Sequence, residues 1–245
     1  MMPPKNNIQD TLPAYTGEAS TEIWEPAILV LAGTTIHAES ADTAPLYRLS
    51  RAVANLTIST KEVEFRRIER SVKTRAEEPV VVPQSRHIYD INCTRGGDGR
   101  RTVSVFIECV SRNRTMGHLG IQRLYPFLKK GLVVKSIDIV NGLRTYGTFS
   151  KDASTLFLIE PRKDNKDVWT DCNGKVLAMQ DWSDDQHKLI ITVSLHCETV
   201  DALVALWCGR IWQYSERDHA AKCTGMNTGI IPRFQLISSL LMLFR

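Results

Sequence analysis

The chain has 245 residues, 43% of them hydrophobic and 24% charged, with a net charge of +4. That is enough chain to bury a sizeable core, and the composition is that of a globular protein, not of a low-complexity or collagen-like one. No run of 18 or more apolar residues is present, so a membrane-spanning helix is not expected.

Residues 1–22, with Pro3, Pro4 and Pro13 and few large apolar side chains, read as a disordered arm. Its opening lacks the apolar stretch of a signal peptide, so an intracellular, cytoplasmic protein is expected, with its six cysteines free. Within the arm, Leu12-Pro13-Ala14-Tyr15 has the form of the short L/P-P-x-Y ligands of WW domains; an inert tail fits the same residues.

From residue 23 the pattern changes to strands. Ala27–Ala32 is a continuous apolar run, predicted to form a buried strand reaching about His37. Leu46–Ser50 and Glu62–Val72 alternate apolar and polar residues, the second with a break in phase at Arg66-Arg67 that suits a bulge. Glu77–Pro83 is predicted to be a loop, since each proline restricts the residue before it to extended conformations. His87–Cys93 and Thr102–Cys109 then flank Arg95-Gly-Gly-Asp-Gly-Arg100, the pattern of a hairpin. Residues 112–131 are basic and less regular. Leu132–Val140 and Ser154–Ile159 are further strands. Val168–Thr170 and Lys175–Asp181 form a second hairpin around Asn173-Gly174, and His187–Leu195 is the last strand.

Asp201–Gln213 is different. Leu203, Leu206, Trp207, Ile211 and Trp212, with Val204, Cys208 and three alanines or glycines between them, leave no polar face; only Arg210 and Gln213 interrupt it. A helix apolar on all sides must be surrounded, and this one is too short to cross a bilayer, which takes about 20 residues. About ten strands are on hand to surround it. The expected architecture is therefore mainly β: a closed antiparallel barrel of about 10–12 strands over residues 23–215, wrapped around a central helix at 199–214. Thr199 would be its N-cap, and Glu198 and Asp201 would favour its positive end. Gly209 within it suggests a strand passing close by. Residues 216–245 form a tail, expected to be partly helical because of Phe234–Phe244.

Arg86-His-Ile-Tyr-Asp90, the hairpin Trp169–Ala178, the strand Lys188–Leu195 and Asp201-Ala-Leu-Val-Ala-Leu-Trp-Cys208 resemble phrases of the tubby C-terminal-like group, which includes LURP-one-related proteins and phospholipid scramblases. The chain is most similar there to fungal proteins of this type. The resemblance covers about residues 24–215 and implies a barrel of about a dozen strands around a hydrophobic helix. Some tubby-like domains bind phosphoinositides through Lys/Arg pockets, but those positions do not map residue by residue onto this chain, and no scramblase-type calcium pattern is evident.

The chemistry visible in the sequence is sparse. Residues 86–135 carry ten Lys/Arg against three Asp/Glu. Arg95, Arg100, Arg101, Arg112, Arg114, Lys129 and Lys130 are the candidate ligands for anionic phospholipid headgroups, although a solvated face accounts for the same residues. His196-Cys197 lacks a second pair at zinc spacing, Asp171–Gly174 lacks the remaining ligands of a calcium loop, and no phosphate-binding or nucleophile motif occurs. Neither cofactor, metal nor nucleic acid is expected. The leading function is a non-enzymatic binding or scaffold module that meets an anionic membrane surface. The alternatives are an adaptor recruited by a WW-domain protein through Leu12, Pro13 and Tyr15, and an enzyme whose site leaves no trace in sequence.

Overall fold

A computed structural model describes residues 22–56, 59–75, 78–93, 103–111, 115–123, 131–138, 148–149, 153–162, 166–182 and 186–223. In chain order the strands are β1 (Ile23–Trp24), β2 (Ala27–Ala32), β3 (Thr35–Ala38), β4 (Pro45–Leu49), β5 (Glu62–Arg75), β6 (Glu78–Cys93), β7 (Val105–Cys109), β8 (Leu119–Arg123), β9 (Leu132–Asp138), β10 (Thr148–Phe149), β11 (Thr155–Pro161), β12 (Lys166–Asp171), β13 (Val176–Asp181), β14 (His187–Ile191) and β15 (Leu195–His196). A short 3-10 turn at Val53–Asn55 precedes β5, and one helix, α1, spans Cys197–Cys223.

Twelve strands close into an antiparallel barrel, in the order β9-β11-β12-β13-β14-β2-β3-β4-β5-β6-β7-β8, sealed by the β8–β9 pair. β10 adds to the outside of β9, and β1 pairs with β15 apart from the barrel. Alternate residues point inward, as the two-residue period of a strand requires: Leu29 and Leu31, Val63 and Phe65, Val105 and Ile107, and Leu189 and Ile191 all join one core. α1 fills that interior. Every residue from Val200 to Trp212 is buried, including Leu203, Leu206, Trp207, Ile211 and Trp212. The barrel is the cover that an all-apolar helix needs.

Several expected boundaries are corrected. The strand predicted to run from Ala27 to His37 is a hairpin, β2 and β3. Gly33 takes a φ of 61° and turns the chain between Ala32 and Thr35, a conformation glycine adopts freely. The loop predicted at 77–83 is the start of β6. Past the barrel wall, Ile68–Arg75 of β5 and Glu78–Arg86 of β6 pair only with each other among the described residues, as a projecting ribbon. Each strand there has one open edge, and a proline whose nitrogen faces an open edge removes no ladder bond. Pro79 and Pro83 pair there with Thr74 and Arg70, and the extended conformation they impose serves a strand as well as a loop. The expected bulge lies between Phe65 and Arg66. β8 emerges from the stretch 112–131 that lacked a pattern, because Leu119-Gly-Ile121 offers only three residues of alternation. α1 starts at Cys197, not after a Thr199 cap, and runs beyond 214 to Cys223.

Candidate functional site

The two ends of the barrel differ. At the upper rim α1 begins. At the lower rim it leaves, and each rim holds one of the two charges buried with the helix.

At the upper rim Asp201 is 2% exposed. Its Oδ1 accepts a hydrogen bond from the Tyr47 hydroxyl at 2.7 Å, and its Oδ2 lies 3.4 Å from Nη1 of Arg67. Arg67 Nη2 also bonds Glu22 at 2.8 Å, which ties the start of the described chain to the barrel. The expectation that Asp201 serves the helix dipole is replaced by this buried network. Burial pushes the Asp201 carboxyl up to about 6, and Arg67 and the Tyr47 hydroxyl hold it down against that. The same burial, with Asp201 alongside, drives the Tyr47 hydroxyl well above its ordinary range.

A pH dependence follows. The native state keeps the Asp201 proton to higher pH than the unfolded chain, whose carboxyl titrates near 3.8. Stability from this group is therefore present below about pH 4 and is lost as pH rises through about 6, by an amount on the order of 2–3 kcal/mol. The groups facing it are Tyr47, Arg67, Glu22 and, at longer range, Tyr89. Urea titrations of Asp201→Asn between pH 4 and 7 should lose this part of the slope. A wild-type slope unchanged by the substitution would refute it.

At the lower rim Arg210 is 4% exposed. Its Nη2 donates to Asp167 Oδ2 at 3.0 Å and to the Tyr214 hydroxyl, its Nη1 donates to Gln213, and its guanidinium lies 4.6 Å from the Tyr214 ring centroid. Trp182 packs edge-on against Tyr214 and His187.

Beside this exit lies an open groove of about 560 Å³, lined by Ser50, Arg51, Ser59, Thr60, Lys61, Glu62 and Glu64. Strand ends fix its shape: the Ser50 amide donates to the Glu64 carbonyl, and the Glu64 amide donates to the Ser50 hydroxyl. Arg66 takes the Glu64 carboxylate at 2.8 Å and holds it below its usual range. Arg51 and Lys61 are exposed, and neither forms an ion pair among the described residues. With Glu64 taken by Arg66, Arg51 and Lys61 outnumber the remaining carboxylate, Glu62, on this lining, a balance that favours the oxygens of a phosphate group. Sequence reading missed this groove because its ligands come from two segments that only the β4–β5 pairing unites.

The predicted ligands Arg95, Arg100, Arg101, Arg112, Arg114, Lys129 and Lys130 lie outside the described residues, as do Leu12, Pro13 and Tyr15. The described strands that flank these segments end at different rims. Cys93 and Val105, which bracket 94–101, end at the lower rim, as do Arg123 and Leu132, which bracket 124–130. Cys109 and Leu119, which bracket 112–114, end at the upper rim. The pairing of Glu62 with Asn92 sets Lys61 next to the strand end from which 94–101 continues.

Other candidates resolve simply. Asp171 Oδ1 accepts the amides of Asn173 and Lys175, with Gly174 at φ 82°, so Asp171–Gly174 is a turn. Cys93, Cys109, Cys172, Cys197 and Cys208 form no disulfide with one another. Among the described residues no three His, Cys, Asp or Glu side chains gather as metal ligands, and no helix is long and apolar enough to cross a membrane.

A closed twelve-strand barrel around one helix is consistent with the tubby-like architecture. No family model matches the chain, nor does any curated protein or solved structure.

Proposed function

We propose that the chain is a non-enzymatic binding module of the tubby C-terminal-like kind whose lower rim meets anionic phospholipid headgroups. The observation that carries this reading is the groove at the lower rim, where Arg51 and Lys61 form no ion pair among the described residues and share the lining with Ser50, Ser59, Thr60, Glu62 and Glu64, the last of these held by Arg66. The segments 94–101 and 124–130, with Arg95, Arg100, Arg101, Lys129 and Lys130, join strands that end at the same rim. Phosphate groups favour such a concentration of charge, at about 1 kcal/mol per Lys or Arg near an anionic surface. Anionic headgroups are concentrated on the cytoplasmic leaflet, so the reading goes with an intracellular protein.

Flotation with phosphatidylcholine vesicles, with and without phosphoinositide, tests it. Binding should require the anionic lipid and weaken with salt. Arg51→Glu with Lys61→Glu should reduce it by more than tenfold, while Arg112→Glu with Arg114→Glu, in a segment that joins strands ending at the other rim, should change it little. Binding that ignores salt and phosphoinositide content, or equal sensitivity to the two double substitutions, would overturn the reading.

A further inference from the structure

The outer face of the barrel carries an apolar row outside both buried clusters, covered at one end and open at the other. Val168 of β12 is paired with Met179 of β13, Met179 with Ile190 of β14, and Ile190 with Ile28 of β2. Their neighbours along each strand, Trp169, Ala178, Leu189 and Leu29, face the interior, so these four face out. Ile28 is 42% exposed, Met179 and Ile190 are half-buried and Val168 is buried. None of the four joins either buried cluster. At about 4.8 Å per strand the row is about 14 Å long. An acid bounds each end: exposed Glu160 pairs with Val168, and exposed Glu39 donates its amide to the Ile28 carbonyl.

The same chain contains a segment with the complementary pattern. Phe234, Ile237, Leu241 and Phe244 recur at the spacing of one helical stripe, with Leu240 beside them; Leu236, Met242 and Leu243 lie outside it, and Arg233 and Arg245 flank the segment. As a helix, the twelve steps from Arg233 to Arg245 cover about 18 Å. That matches an apolar row of about 14 Å with an acid one strand beyond each end.

The path is short enough. α1 leaves the barrel beside the strands that carry the row: Arg210 bonds Asp167 of β12, and Tyr214 packs on Trp182, between β13 and β14. Cys223 lies thirteen residues beyond Arg210, about 20 Å along the axis. The row sits about 7 Å above the rim. The ten residues 224–233 reach about 33 Å when extended, which covers the return.

We propose that residues 234–244 fold back as a helix across β12–β13–β14–β2, seating their apolar stripe on Val168, Met179, Ile190 and Ile28 and placing Arg233 and Arg245 against the acids Glu160 and Glu39. This is independent of headgroup binding at the rim.

A photo-crosslinking amino acid at Ile28 in the full chain, irradiated without lipid, tests the contact. The expected adduct joins position 28 to a peptide from 234–244 of the same molecule. A product joining two chains would assign the row to a second copy and overturn the proposal, as would an adduct elsewhere or none. Amide exchange gives a second readout that does not depend on the probe. Met179→Glu with Ile190→Glu should speed exchange in 234–244 by at least about tenfold, leaving the core strands protected. Glu39→Arg with Glu160→Arg should weaken protection, and adding Arg233→Glu with Arg245→Glu should restore it. No protection of 234–244 in the unaltered chain would also overturn it.

Discussion

Asp167→Ala is expected to destabilise the barrel by about 3–5 kcal/mol, although a single exposed surface carboxylate would cost almost nothing. The difference lies in where its partner sits. Arg210 is fixed within α1 between buried residues, at 4% exposure, and cannot turn its guanidinium to water. Without Asp167 it keeps Gln213 and Tyr214 as hydrogen-bond acceptors but no counter-charge among the described residues. Removing both members should be far milder. Asp167→Leu with Arg210→Met replaces a desolvated pair by apolar side chains of similar volume, a change that is often neutral or stabilising. Arg210 favours that outcome further, because its Nε is buried without a hydrogen-bond partner and such an atom carries its own desolvation cost. Urea denaturation of the two single variants and the double variant measures this. A double variant as unstable as Asp167→Ala would show that the pair contributes net stability, and a single variant within 1 kcal/mol of the parent would show that Arg210 has found water.

If the pair adds little net stability, its other effect is on register. The helix surface is apolar almost throughout, so outside the close fit at Gly209 packing offers few features that set the depth of α1 in the barrel. Two charges nine residues apart restrict it. Asp201 must meet Arg67 and Tyr47 at the upper rim while Arg210 meets Asp167 at the lower one. The rise between the two charges is about 13 Å. A slip by one turn, or a reversed helix, would leave both charges buried without partners, at several kcal/mol each.

This also explains what the sequence made legible. The fold was legible because the constraint was local and severe: an apolar-all-round helix demands a cover, and the strand patterns, with the hairpins at Arg95–Arg100 and Asn173-Gly174, supply one. Arg210 stood out as a charge needing a partner, but the partner lies 43 positions away and Arg67 lies 134 from Asp201. Alternation within a strand says which side faces inward, not which strands become neighbours. The groove at Arg51 and Lys61 was hidden for the same reason. Its two segments look like ordinary polar connections until the β4–β5 pairing brings them together. β8 was missed because three alternating residues carry too little pattern, and 78–83 because extended prolines read alike in a loop and in a ribbon with open edges.

The helix-strand contact that Gly209 predicts leads to the second large effect. Gly209→Leu is expected to cost at least about 4 kcal/mol and to block folding at physiological temperature, whereas helix propensity alone would make it favourable by almost 1 kcal/mol. A Cβ at this position would fall directly on Cγ1 of Val105 and 3.2 Å from Cγ2 of Ile91, both inward residues of adjacent strands. The Gly209 carbonyl also lies 3.8 Å from the Cys93 thiol on β6. The helix backbone is therefore against the wall here, and the wall is closed on itself by hydrogen bonds, so it cannot open locally. Overpacking costs typically reach about 1–3 kcal/mol even where neighbours yield, and a leucine adds three more carbons where one does not fit. Gly209→Ala should fall between, with the propensity gain offsetting part of the clash. Val105→Ala should then rescue it, because the atom struck by the new Cβ is gone: the coupling between the two positions should be favourable by about 1 kcal/mol or more. A double-mutant cycle by urea denaturation measures that coupling. Strict additivity, or a stable Gly209→Leu protein, would mean that α1 stands clear of β6 and β7 and that the packing described for this half of the barrel is wrong.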